Sequence, residues 1–259
     1  FDGILDEEMF PFFSNSYMAV LGNEPATEYI RYSNDRALEY QISTEIADGK
    51  VKKRALYNEG KNHIKNMEKY YHKLSARYEG SGLTICPCKV VGDVAEFPFV
   101  KGRPLSELLD EYLASEDYEG FEALFKEFVE KVSFGEDSGV ADLDLVFSNI
   151  LIDGDKWTVI DYEWTFEKYI SSKELAFRAL YCYLLENEER NKFNFDLIIK
   201  NLGITAEEAE DFRAREAIFQ KEVTGKRLSM GEIRELIGKA VINPQDFVAY
   251  GKTTVGKNN

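Results

Sequence analysis

Basic charge is scarce in this chain. Its 259 residues carry 32 Lys and Arg against 47 Asp and Glu, a net charge of −15. That excludes the broad basic surface on which nucleic acid or anionic lipid is bound. It leaves room for a nucleotide, which needs only a local pocket and a metal. No run of about 18 apolar residues occurs, so no membrane span is expected. No secretory signal is read at the start, and a cytoplasmic setting is the expectation. The chain opens on Phe1 and not Met, which fits a segment excised from a longer polypeptide or one lacking its native start. Cysteine is also rare: Cys86, Cys88 and Cys182 make an odd, low count that fits a reduced compartment. Cys86-Pro87-Cys88 has no second Cys/His pair at ligand spacing, so it is read as a strand or its entry. The two histidines, His63 and His72, fall on one helix at i, i+9 and share a face too poorly for metal binding; neither is given a role. Internal repeats and low-complexity tracts are absent.

What is present is a globular composition, 44% hydrophobic, and enough length for one large domain or two lobes. The first hundred residues read as strands with one helix. Phe10 to Leu21 suggests a hairpin, Glu28–Tyr32 a strand, Leu38 to Ala47 a second and Lys50 to Leu56 a third, with Asp48-Gly49 as a turn. Asn58 is placed to cap a helix reaching about Arg77, with Ile64, Met67, Tyr71 and Leu74 as its apolar stripe. Leu83 to Val91 and Val94 to Val100 give two further strands around Gly92-Asp93.

Beyond Gly102-Arg103-Pro104 the pattern turns helical. Leu105, Leu108, Leu109, Tyr112 and Leu113 share one face; Phe121, Leu124, Phe125, Phe128, Val129 and Val132 share another. Later helices are expected over 172–186, 193–201, 205–223 and 230–241, before a polar tail from Gly251. The expected fold is therefore α+β and two-lobed: residues 1–100 a small antiparallel sheet with one helix, residues 101–259 mostly helical. The switch near Val100–Arg103 is the expected connector, and ligand clefts favour such junctions.

Between the helical runs lies the most informative stretch. Asp144-Leu145-Val146-Phe147-Ser148-Asn149 is followed by two β-rich runs, Ile150–Ile152 and Trp157–Ile160, around Asp153-Gly154-Asp155-Lys156. With Gly154 and Asp155 as loop residues, Asp153 faces Lys156 and Asn149 faces Ile160. Asp161 then lies at the same end of the hairpin as Asn149, with Asp144 in the loop before it. One acid and two further oxygen donors around one point are what phosphoryl transfer requires: a group to orient a hydroxyl, and ligands for a hard cation. The alternative is a surface hairpin with acidic ends in an acidic protein.

This layout resembles the protein-kinase-like fold, in its aminoglycoside and choline phosphotransferase branch, over roughly residues 28–185. The resemblance implies a kinase using ATP and Mg²⁺, with Asp144 as the catalytic Asp that takes the acceptor's proton and Asn149 and Asp161 as metal ligands. The wording Ile160-Asp161-Tyr162-Glu163-Trp164-Thr165-Phe166, with Phe12-Phe13-Ser14-Asn15, looks like kinase-like domains attached to bacterial methyltransferases or glycosyltransferases of surface-polysaccharide synthesis. Three departures stand out. Asp142 sits where the family has His, and Leu143 where protein kinases have Arg. Tyr162-Glu163 replaces Phe-Gly. Ser33-Asn34-Asp35-Arg36 stands in place of a glycine-rich loop, although backbone amides of a polar turn can still hold phosphate.

The same resemblance implies further site residues. Lys53, in Val51-Lys52-Lys53, would meet the α- and β-phosphates if it points inward; otherwise it belongs to a solvated basic strand. Glu68 or Glu59 would hold that lysine from the helix, and Glu59 could instead complement the helix dipole. Ser33 belongs to the phosphate-side turn, and Arg36 would reach the γ-phosphate or remain a surface arginine. The backbone of Glu96-Phe97-Pro98-Phe99 would bond adenine, with Phe97 or Phe99 on the base, although Pro98 removes a donor. Asp142 and Glu163 would bond acceptor hydroxyls or serve as structural acids, and Trp164 is read as core. The expected acceptor is a sugar hydroxyl of a surface polysaccharide or its precursor. A cationic aminoglycoside is the second acceptor, and a pseudokinase scaffold, fused to a methyltransferase or glycosyltransferase domain, is the rival of a different class.

Overall fold

The computed structural model describes residues 27–192 and 195–225. The hairpin expected over Phe10–Leu21, the Phe12–Asn15 signature, the helix over 230–241 and the tail from Gly251 lie outside the described residues.

Three strands open the described chain: β1 (Thr27–Ser33), β2 (Ile42–Ala47) and β3 (Lys50–Ala55). Asp48 and Gly49 both take positive φ, 52° and 66°, the pairing that a tight two-residue hairpin demands. Helix α1 (Lys61–Arg77) follows, then β4 (Leu83–Ile85), β5 (Lys89–Val91) and β6 (Val94–Pro98). Five of these strands form one antiparallel sheet in the order β1-β2-β3-β6-β5. α1 packs on this sheet through Ile64, Met67 and Leu74, as its apolar stripe predicts.

The remainder is mostly helical: α2 (Leu105–Ala114), α3 (Tyr118–Val132), α4 (Ser172–Glu186), α5 (Phe195–Asn201) and α6 (Ala206–Thr224). Between α3 and α4 lie β8 (Ala141–Asp142), β9 (Ile150–Asp153), β10 (Lys156–Val159) and β11 (Thr165–Phe166). With β7 (Arg103–Pro104), a second sheet runs β4-β10-β9-β7, and β8 pairs with β11. One hydrophobic core, from Ile42 through Phe147 to Val223, joins the sheet region to the helices. The α+β architecture, a small antiparallel sheet with one helix followed by a helical region, is the expected one.

Three local expectations are corrected. Leu38–Tyr40 is a 3-10 turn and not strand, because Ala37 N–H bonds Val223 O at the end of α6 (2.8 Å) and Tyr40 N–H turns back to Ala37 O (2.8 Å). Asn58 does not cap α1: residues Asn58–Gly60 form their own 3-10 turn and the helix starts at Lys61. Leu83–Val91 is not one strand. It breaks at Cys86-Pro87-Cys88, so that β4 runs parallel to β10 while β5 pairs with β6. Pro87 has no N–H to continue a ladder.

Candidate active site

The hairpin β9–β10 has the register read from its turn: Asp153 faces Lys156 and Val159 faces Ile150. Ile160 N–H bonds Asn149 O at 3.0 Å, which sets Asp161 beside the start of the hairpin. The Asn149 side chain turns back and donates to Asp144 O (3.0 Å). Asp144, Asn149 and Asp161 are thus drawn together by one local structure.

β3 supplies the cation. Lys53 stands opposite Thr44 on β2 and Ala95 on β6. Facing residues of an antiparallel pair share a face, and this face turns inward. Lys53 is 5% exposed, and Lys52 lies on the other face. Its Nζ donates to both Asp161 oxygens at 2.8 Å and to Glu163 Oε1 at 3.5 Å, spanning 108 residues to reach Asp161. Burial pulls the ammonium toward neutrality, but Asp161 and Glu163 outweigh it and raise its pKa.

Glu163 is the second carboxylate at this lysine. It is 5% exposed and accepts from groups on three elements: Lys53, Arg36 NH1 (2.9 Å) and His63 Nε2 (2.9 Å). Burial pushes its carboxyl up, but Lys53, the His63 hydrogen bond and Arg36 together hold it well below the usual range. These contacts fit the second of the two expectations for Glu163, a structural acid.

Asp142 fits the same alternative. It is wholly buried, paired with Thr165 across β8–β11, and its Oδ1 accepts the Asp144 N–H (3.0 Å). It props the loop and touches no solvent. Burial pushes its carboxyl up to about 8, with Asp161 adding to the push and the Asp144 amide opposing it. Asp144 is also raised, by burial and then by Asp161, Asp142 and Glu163. From the far side, Arg178 of α4 donates to Leu143 O and pairs with Glu216.

The other expected contacts divide. Arg36 reaches the cluster and lies over Trp164, which is core, as expected, against Tyr40, His63 and Phe219. Phe97 is buried 6.0 Å below Lys53 Nζ. Glu68 does not hold Lys53; its carboxylate accepts Val90 N–H (3.0 Å). Glu59 is exposed at the turn before α1. Glu96 pairs with Lys50 (3.6 Å) on the face away from Lys53. Ser33 is buried opposite Ile42. Phe99 is 46% exposed and its N–H is engaged by Gly49 O (2.9 Å).

Two contributors escape the sequence reading. His63 is a poor metal partner for His72, yet it stands four residues before Met67 on the buried side of α1. Arg178 interrupts the apolar run Leu175-Ala176-Phe177…Ala179-Leu180, which is itself a signal of a buried, paired cation.

Carboxylate oxygens of Asp144, Asp161 and Glu163 lie within 4.8 Å of one another. Hard oxygen donors at that spacing suit Mg²⁺. Asp144 and Asp161 are both part-exposed, Asp161 being engaged among the described residues by Lys53 alone, while Glu163 is buried and bonded by Lys53, Arg36 and His63. Asn149 stands next to them.

No protein-family model matches the chain, and no curated protein does. Solved structures similar to it include an ADP-bound aminoglycoside phosphotransferase APH(2'')-Ib, at 11% identity and a TM-score of 0.39, covering 81% of this chain and 90% of that one. The streptomycin–ATP ternary complex of APH(2")-IIa aligns at 13% identity and a TM-score of 0.31, covering 61% and 77%. The macrolide 2'-phosphotransferase MphH of Brachybacterium faecium, without ligand, aligns at 10% and 0.32, covering 79% and 80%. No helix among the described residues is long and apolar enough to cross a membrane.

Proposed function

We propose that this chain is a phosphotransferase that carries the terminal phosphoryl group of Mg²⁺-bound ATP to a hydroxyl of a small molecule or glycan. The site would lie in a cleft between an N-terminal lobe (1–100) and a C-terminal lobe (101–259), in the cytoplasm, where ATP is plentiful. One observation carries the reading: Lys53 Nζ on both oxygens of Asp161 at 2.8 Å, with Asp144 and Asn149 at the same point. A buried lysine, a proton acceptor and oxygen ligands are the parts that phosphoryl transfer uses.

Bound Mg²⁺ and ATP would supply the group transferred and the charge that draws it. The protein's residues do the rest. Asp144 orients the acceptor hydroxyl and takes its proton; its raised pKa makes it a stronger base than an exposed aspartate. Asp161 and Asn149 would hold the metal. Lys53, released from Asp161, would face the phosphates, with Arg36 beside it at the β1–β2 turn.

The acceptor we assign is a sugar hydroxyl of a cell-surface polysaccharide or its precursor, on the resemblance carried by Ile160–Phe166, with a linked methyltransferase or glycosyltransferase domain as its setting. A cationic aminoglycoside is the second reading, favoured by the surplus of carboxylates around Asp144. ³¹P NMR of the protein with Mg²⁺, ATP and a panel of sugars and aminoglycosides tests both. A phosphomonoester should form, and Asp144→Asn should slow it by about 10²–10⁴-fold. ATP bound without transfer to any acceptor would leave a pseudokinase scaffold in its place.

A further inference from the structure

A lysine that neutralises phosphate needs a carboxylate that stays with it. Asp161 and Glu163 both reach Lys53, and they are not equivalent. Asp161 is part-exposed and belongs to the cluster facing Asp144. Glu163 lies behind it, with Oε1 toward Lys53 and Oε2 shared by His63 Nε2 and Arg36 NH1. Helix α1 brings no carboxylate to Lys53, since Glu68 serves Val90 N–H, and Glu59, in the turn before it, faces solvent. What α1 offers is His63, whose ring is 8% exposed and packs 5.3 Å from both Tyr40 and Trp164.

We infer that His63 is a positioning residue for Lys53: by its hydrogen bond to Glu163 it fixes the carboxylate that keeps the ammonium aimed into the cleft once Asp161 turns to another ligand. The usual polarity of such a contact is inverted here. The carboxylate comes from the segment after β10, and the helix supplies the group that holds it. One carboxylate thereby fastens β3, α1 and the β1–β2 turn to the stretch that carries Asp161. Arg36 shares the same oxygen, so the turn over the cleft and the helix behind it are set by one group. The inference rests on the phosphotransferase reading for its consequence in nucleotide binding; the hydrogen bond itself belongs to the free protein.

The test uses His63→Phe, which keeps a ring between Tyr40 and Trp164 but cannot bond Glu163, and His63→Gln, whose longer amide can. Calorimetry with Mg²⁺-ATP should show His63→Phe about tenfold weaker than wild type, as loss of a hydrogen bond to a buried charge implies, and His63→Gln close to wild type. In transfer assays the loss should fall on the KM for ATP more than on kcat. In a Glu163→Gln background, His63→Phe should have little further effect, because the histidine acts through that carboxylate. If His63→Phe does not fold, His63→Asn, too short to reach, replaces it against His63→Gln with the same expectation. Wild-type affinity in His63→Phe, or an equal loss with and without Glu163, would overturn the inference alone. A wild type that binds no Mg²⁺-ATP would overturn the phosphotransferase reading and this inference with it.

Discussion

Asp142 and Asp144 stand two positions apart, the first buried and the second part-exposed in the carboxylate cluster with Asp161. The first holds the second through its backbone amide. Asp142 is raised to about 8, so the sign of its pH effect is fixed. Its contribution to stability is fully present below its unfolded pKa, about 3.9, and is lost as pH rises toward the folded value. Asp142→Asn keeps an acceptor for the Asp144 amide and removes the titration. Its melting temperature relative to wild type, measured in EDTA, should therefore rise from pH 5 to pH 8; a difference that does not change with pH would contradict this. The residues legible in the sequence are those linked by short-range geometry. Asn149 and Asp161 sit in one hairpin whose turn fixes the register. The partner of Lys53 is not legible, because the choice among Glu59, Glu68 and Glu163 depends on how α1 docks, and no local pattern carries that.

Elements hold the site through a few buried contacts. Arg77, in the last turn of α1, donates to Val132 O (3.1 Å), Phe134 O (3.2 Å) and Val140 O (2.5 Å). It ties the helix under the first sheet to the segment leading into β8 and Asp144. Arg77→Met removes the guanidinium from three carbonyls, leaving Val140 O only the Ser138 hydroxyl at 3.5 Å, and should cost about 3 kcal/mol in urea unfolding; a loss below about 1 kcal/mol would show that the carbonyls find other partners. Gly102, before β7, has φ 150°, and a Cβ there would lie 3.0 Å from Ile152 O and 3.1 Å from Leu151 Cβ. Gly102→Ala should cost about 1–3 kcal/mol by the same measurement and push β7 from β9. Element type is readable for α4 and α6, whose Ser171 and Thr205 caps stand in the sequence. The split of Leu83–Val91 between two sheets is not. It is set by β10, more than 70 residues on in the chain, and an apolar run looks the same whichever sheet receives it.

At the scale of the whole molecule, an acidic protein of net charge −15 is proposed to bind a polyanion. Its site gathers Asp142, Asp144, Asp161 and Glu163 against Lys53, Arg36 and Arg178. Free nucleotide would meet Asp144 and Asp161 across a few ångströms, an unfavourable approach that a divalent cation reverses. Nucleotide binding should therefore depend on the metal. Composition makes this legible in part: it rules out a broad anion-binding surface and leaves only a local one. The fold that builds the local site, one core running from Ile42 to Val223, comes from long-range packing that no single window of sequence shows. The most direct measurement is calorimetric titration of ATP into wild type and Asp161→Asn, each with and without Mg²⁺. Wild type should bind ATP only with Mg²⁺ present, and Asp161→Asn should not bind it. No binding at millimolar ATP, or binding indifferent to both metal and mutation, would contradict this.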